Sequence, residues 1–271
     1  MSNIVSTDWL AEHLNEAVIL DCSWHLPAAN RNAAAEFEVS HIANAQFFDI
    51  DLHSDKSTTL PHMLPTSAAF EHAARQLGIN TTSKVICYDS VGLFSAARVW
   101  WMFKIFGHSQ VHVLDGGLKK WLAEGRPTNS AKITTSTGDF KAQFSTEMVK
   151  NISQVASEKA QVIDARSPTR FRGEEPEPRP GVKPGHIPSA KNIHYASLLN
   201  PDGTMKTASE LAKIFASTGI DLEKPITTSC GSGVTAAILS LALTELKATS
   251  HALYDGSWAE WGSSGRAIAL G

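Results

Sequence analysis

Short apolar runs alternate with amphipathic stretches along the chain. Residues 18–20, 85–88 and 111–114 are brief runs rich in β-branched side chains, and residues 67–77 and 95–106 carry apolar positions at helical spacing. The second half repeats the scheme, with strand-like runs at 162–164, 226–229 and 252–254 and helical stretches at 208–217 and 234–246. An uninterrupted short apolar run reads as a strand buried on both faces. Strands alternating with helices predict an α/β protein, a parallel sheet with helices on both faces. In such sheets ligands sit beyond the carboxyl ends of the strands. The residues just after each strand are therefore where chemistry is to be sought.

The two halves are copies. Val18-Ile19-Leu20-Asp21 is similar to Val162-Ile163-Asp164, and His41-Ile42-Ala43-Asn44-Ala45 to His186-Ile187-Pro188-Ser189-Ala190. Leu114-Asp115-Gly116-Gly117 with Trp121 is similar to Tyr254-Asp255-Gly256-Ser257 with Trp261. The offsets are 143 residues for Asp21/Asp164, 145 for His41/His186, and 140 for both Asp115/Asp255 and Trp121/Trp261. Agreement in the same order at nearly constant offset indicates a duplicated domain. Thr, Ser, Lys and Gly accumulate from about Gly125 to Lys150, which reads as the connection. The expected layout is a first domain over 1–135, a linker over 136–150 and a second domain over 151–271. The length of 271 residues agrees with two domains at roughly 150 residues each.

Composition narrows the class without naming a function. Hydrophobic residues make up 42% and charged residues 19%, which excludes wholesale disorder. A formal net charge of -3 gives no sign of a nucleic-acid partner or an anionic membrane. No apolar run approaches the roughly 20 residues that span a bilayer. The first residues lack a basic and apolar leader, so no secretory signal is visible. Three cysteines, Cys22, Cys87 and Cys230, are far apart and odd in number, which argues against a disulfide framework and for a reducing cytoplasm. The histidines have no metal-ligand spacing with Cys, Asp or Glu, so no metal site is expected.

Chemistry enters at one position where the halves differ. Aligning Val85-Ile86-Cys87-Tyr88-Asp89 with Ile226-Thr227-Thr228-Ser229-Cys230 sets Asp89 against Cys230, at offset 141. Cys230 follows a strand and opens Cys230-Gly231-Ser232-Gly233-Val234-Thr235, which runs into a helix expected to start near Val234. Two glycines permit a tight turn with backbone N–H groups converging on one point, and the helix start adds partial positive charge. A thiol there is placed for nucleophilic chemistry, in which the thiolate is the reactive form. Cys22 and Cys87 lie at or within apolar strands with no glycine loop and read as core residues.

These residues resemble the rhodanese-like sulfurtransferases, specifically the two-domain 3-mercaptopyruvate sulfurtransferases. The resemblance spans essentially the whole chain, duplication included. Its strongest element is the 230–235 loop, supported by Arg179-Pro180-Gly181, Gly185-His186-Ile187-Pro188 and Asp255-Gly256-Ser257-Trp258. It implies two tandem rhodanese-like domains, the second catalytic through Cys230 and the first not. It also implies that a persulfide on Cys230 is stabilised by the loop Gly231, Ser232, Gly233, Val234 and Thr235. Arg170 and Arg179 match the substrate-binding arginines, whose planar forks suit a carboxylate. Ser232, His62 and Asp51 match a proposed proton relay. The bland alternative for the arginines is a solvated loop in which they pair with Glu174, Glu175 and Glu177, and Arg172 stays with it.

The sulfur donor follows from what flanks the cysteine. Thiosulfate enzymes of this family usually follow it with Arg-Lys, whereas here Gly231 and Ser232 are neutral. A dianion without paired cations is costly to desolvate. The expected donor is therefore 3-mercaptopyruvate, with pyruvate released and cyanide or a thiol, such as that of thioredoxin, as acceptor. No cofactor is expected. Thiosulfate:cyanide transfer and a sulfur-carrier module are the alternatives. A cysteine phosphatase needs an arginine six positions after the cysteine, where this chain has Ala236. Features shared by both halves, namely His41 and His186, Asp21 and Asp164, Asp115 and Asp255, Trp121 and Trp261, are assigned to fold maintenance, and Trp258 to the core.

Overall fold

The structure, a computed structural model, describes residues 2–271. The apolar runs become two five-stranded sheets, parallel throughout. The first contains β1 (Ile4–Val5), β2 (Val18–Asp21), β3 (Ala45–Phe47), β4 (Val85–Tyr88) and β5 (Val111–Leu114), in the order β1-β5-β4-β2-β3. The second contains β6 (Val149–Lys150), β7 (Gln161–Asp164), β8 (Lys191–Asn192), β9 (Ile226–Ser229) and β10 (His251–Tyr254), in the order β8-β7-β9-β10-β6. Read from opposite ends, the two orders are the same. The fourth strand of each is central and the first and third are at the edges. All four residues of β4, β5 and β9 are buried. Helices therefore cover both faces, as the unbroken runs require. In β9, Thr227, Thr228 and Ser229 are buried despite their hydroxyls, and Thr228 Oγ1 finds Ser240 Oγ at 3.0 Å.

The helices repeat with the strands. Ser67–Gln76 corresponds to Ala208–Ser217, and Ala96–Ile105 to Ala236–Glu245. Thr66 and Thr207 cap the first pair, and Thr207 completes a capping box with Glu210. The second pair is buried almost all round, as expected of a helix apolar on every face. Ala236–Glu245 starts two residues later than the sequence suggests. Gly233 sits at φ +78, outside helical geometry, so residues 231–235 remain a loop.

Packing divides the chain into two units. Unit 1 holds Met1–Ser54, Pro65–Phe144 and Asn200–Met205; unit 2 holds Asp55–Leu64, Ser145–Leu199 and Lys206–Gly271. A short segment of each half thus packs as part of the other unit. Part of the stretch expected to link the domains also has a fixed place. Phe140 is buried among Phe70, Phe103 and His108, and its carbonyl accepts from Arg75 Nε at 2.8 Å. One aromatic side chain anchors a run whose composition is otherwise that of a linker, and a buried Phe is worth about 3–5 kcal/mol against alanine. Among the described residues, no helix is long and apolar enough to cross a membrane.

Candidate active site

The first half shows what the strand-to-helix loop can hold. Asp89, just after β4, is fully buried, and its carboxylate accepts from five backbone N–H groups. Val91 and Gly92 donate to Oδ1 at 3.0 and 3.1 Å. Phe94, Ser95 and Ala96 donate to Oδ2 at 2.7, 2.9 and 2.9 Å. Successive N–H groups in a glycine-containing turn ahead of a helix form a cup for an anion. In unit 1 the cup is occupied by the protein's own carboxylate.

In unit 2 the equivalent position is Cys230, 2% exposed, at the carboxyl end of β9. Register places the neighbouring loop beside it. Ser229 pairs with Asp164, and the Ala165 N–H donates to the Ser229 carbonyl at 2.8 Å, so Arg166 and Cys230 leave the sheet together. The turn after β10 braces the loop. Trp258 and Ala259 N–H donate to the carbonyls of Cys230 and Gly231, both at 2.9 Å, and the Cys230 N–H donates to Ser257 Oγ at 3.3 Å. Unit 1 has the same brace, Leu118 N–H to the Asp89 carbonyl at 3.0 Å.

Ser232 and His62 come together. Ser232 Oγ lies 2.9 Å from His62 Nδ1, and both side chains are buried. Although His62 belongs to the first half of the sequence, it packs within unit 2 as part of Asp55–Leu64. Asp51 lies in unit 1, where its Oδ2 accepts from Trp24 Nε1 at 3.0 Å.

The arginines belong to a charged ladder. Arg166 holds Asp164 through Nε and Nη2, reaches Glu177 through Nη1 at 2.8 Å, and lies over the Trp258 ring at 4.5 Å. Burial opposes its charge, but Asp164 and Glu177 outweigh that and raise its pKa. Glu177, whose side chain is 4% exposed, also receives Arg170 through Nη2 and Nε. The pairing of Arg170 with Glu177 and of Arg172 with Glu174 is thus present. Arg170 nevertheless faces the loop: a Cβ built on Gly231 would lie 3.2 Å from its guanidinium. Arg179 is half-buried in the segment that follows, and its carbonyl accepts from the Val182 N–H at 3.4 Å. Glu177 and Arg166 were invisible as site residues in sequence. Their only signal was an Asp-x-Arg at a strand end.

The remaining cysteines and histidines take quieter places. Cys22 and Cys87 are fully buried, and Cys230 is likewise a free thiol. His41 stacks on Phe37 and His186 on Phe171, at 4.0 and 3.8 Å between centroids, each with Nδ1 on the same phenylalanine's carbonyl. Among the described residues, no group of three or more His, Cys, Asp or Glu could hold a metal ion.

The model of the rhodanese-like domain matches twice, over residues 6–124 and 146–264. The chain belongs to the rhodanese-like family. Among curated rhodanese-like relatives, the 3-mercaptopyruvate sulfurtransferase of Escherichia coli (strain K12) is 44% identical over 266 residues, covering 96% of this chain and 94% of the relative. The 3-mercaptopyruvate sulfurtransferase of Homo sapiens is 42% identical over 270 residues, covering 95% and 91%. Among solved structures, the rhodanese-fold enzyme SseA from Escherichia coli superposes with a TM-score of 0.86 at 41% identity, covering 95% of this chain and 99% of that one.

Proposed function

We propose that this protein moves sulfur from 3-mercaptopyruvate to a thiophilic acceptor through a persulfide on Cys230, releasing pyruvate. The observation that carries the reading is the 230–235 loop itself: a cysteine stands where the sister loop holds a five-fold hydrogen-bonded carboxylate. The family and the relatives' printed activities support it.

The Cys230 sulfur, as thiolate, attacks the sulfur of 3-mercaptopyruvate. The new S–S bond forms as the C–S bond breaks, and the bonding pair leaves on carbon as the enolate of pyruvate. The thiol proton passes to the Ser232–His62 pair and returns to that carbon, so donor and product differ by one sulfur atom. Asp51 is the third member of this relay. Arg170 and Arg179 hold the donor's carboxylate. Loop N–H groups from Gly231 to Thr235 then stabilise the persulfide anion as the Asp89 cup stabilises a carboxylate. An acceptor such as cyanide, a small thiol or a thioredoxin-like protein thiol attacks the outer sulfur and restores the Cys230 thiolate. Three free thiols suit a reducing compartment such as the cytoplasm.

Gly231 supports the choice of donor. A cationic side chain at 231 would meet the Arg170 guanidinium, so the cation at this mouth comes from Arg170. One cation and its neighbour suit a monoanionic keto acid better than thiosulfate. The test is donor competition with cyanide as acceptor, following thiocyanate from either donor without any protein partner. Mercaptopyruvate is expected to give the higher kcat/KM. A higher value for thiosulfate overturns the donor, and turnover only with a protein partner overturns the enzyme reading in favour of a carrier.

A further inference from the structure

Asp255 is one of the residues that both halves share, which by itself marks it as part of the fold. Its contact in unit 2 says more. The Leu64 N–H donates to Asp255 Oδ2 at 2.8 Å, and Asp255 is buried. Leu64 is two residues from His62 in the segment Asp55–Leu64. That segment is closed at its other end by the Asp55 N–H donating to the Met63 carbonyl at 2.9 Å. His62 itself sits at φ +59, a left-handed conformation that a residue with a side chain keeps only where its surroundings hold it. Asp255 also opens the turn whose Ser257, Trp258 and Ala259 brace the Cys230 loop. One five-residue segment therefore grips the nucleophile's loop on one side and the histidine's segment on the other.

We infer that Asp255 is a positioning residue for the reaction: by holding Leu64 it sets His62 Nδ1 against Ser232 Oγ. The inference rests on the proton-relay reading of His62 and Ser232 above. Misplacing a catalytic group by about 1 Å costs roughly 10²-fold in rate, so loss of this tie falls on kcat while donor binding is spared. Unit 1 contains its own control. Asp115 Oδ1 accepts from the Met205 N–H at 2.8 Å, the same contact in the half that has no nucleophile.

The experiment compares Asp255→Ala, Asp255→Asn, Asp115→Ala and His62→Ala. The readouts are steady-state kinetics with 3-mercaptopyruvate and cyanide, iodoacetamide alkylation of Cys230, and thermal unfolding. For Asp255→Ala, kcat is expected to fall about 30-fold with KM within about two-fold. Its alkylation rate is expected to stay within about two-fold of wild type, because the Cys230 brace uses Ser257 and backbone groups. Asp255→Asn keeps a side-chain carbonyl acceptor and should recover most of the rate. Asp115→Ala should lower the unfolding midpoint and leave kcat in place. If Asp255→Ala does not fold, Asp255→Ser, too short to reach Leu64, is judged by the same criteria. Full kcat in Asp255→Ala beside an impaired His62→Ala overturns the inference, as does an alkylation loss that matches the loss of turnover. Full kcat in His62→Ala overturns the relay reading and this inference with it.

Discussion

The loops that follow β4 and β9 take the same place in the repeat, the first one residue longer than the second. In the first, the Asp89 carboxylate is built in and takes five N–H bonds, so the cup is full and fixed. In the second, Cys230 stands at that position, a buried free thiol in place of the carboxylate. A second substitution accompanies the first. The residue before the phenylalanine stacked on the shared histidine is Glu36 in unit 1 and Arg170 in unit 2. Glu36 is tied to Arg31 and His25 and lines a cavity of about 580 Å³ with Asp21, Ser23 and Ser90. That position carries a carboxylate in unit 1 and a guanidinium in unit 2. The two units thus differ by two changes of charge at corresponding positions, within one topology.

The comparison breaks most easily at its centre. Replacing Cys230 by alanine is expected to lower kcat for thiocyanate formation at least about 10³-fold, since no other group takes over a covalent step. Retained turnover would place the chemistry elsewhere. The counterpart, Asp89→Ala, leaves a buried cup of N–H groups without its anion. Unfolding in denaturant should show a loss of about 3 kcal/mol with kcat kept within about two-fold. A variant that is stable but inactive would mean the first loop takes part in the reaction.

The charge reversal is sharpened by Arg179→Ala and Arg170→Ala. Each should cut kcat/KM for mercaptopyruvate about 30-fold, or about 2 kcal/mol, and reduce transfer from a donor without a carboxylate far less. Equal losses with both donors would make the arginines structural. Arg170→Ala also frees Glu177, whose carboxylate still has Arg166, so folding should survive that change.

The smallest effect is shared by both halves. Burial lowers the pKa of His108 and His112 in unit 1 and of His194 and His251 in unit 2. The unfolded chain then binds protons first, near the ordinary histidine value of about 6.5. The stability from these neutral rings is therefore complete above that value. It is lost as pH falls through it toward the lower folded-state values. The unfolding midpoint measured by calorimetry should decline between about pH 7.5 and 5.5. A flat or rising midpoint would mean that other groups set the pH dependence.

Much of this was legible because the chain carries its own comparison. Ile226-Thr227-Thr228-Ser229 has strand-favouring β-branched residues but little apolar character, and its place opposite Val85–Tyr88 in the repeat supports the reading. Cys230 stands out because Asp89 stands in its place. What escaped the sequence depends on contacts made far along the chain. Phe140 looks like a stray aromatic in a polar run until Phe70 and Phe103 are beside it. Arg170 and Glu177 could have been a solvated pair. The structure buries Glu177 between two arginines and turns Arg170 toward Gly231. His62 lies 170 positions from Ser232; the family resemblance pairs the two, but no local pattern assigns His62 to unit 2.

The central claim is that one thiol of three carries the sulfur. Mass spectrometry of peptides, after the protein has met stoichiometric 3-mercaptopyruvate without acceptor, tests it directly. One added sulfur atom on the peptide containing Cys230, removed by cyanide, and none on those containing Cys22 or Cys87, is the predicted result. Sulfur on either of the other cysteines, or an unmodified Cys230 after pyruvate has been released, would contradict it.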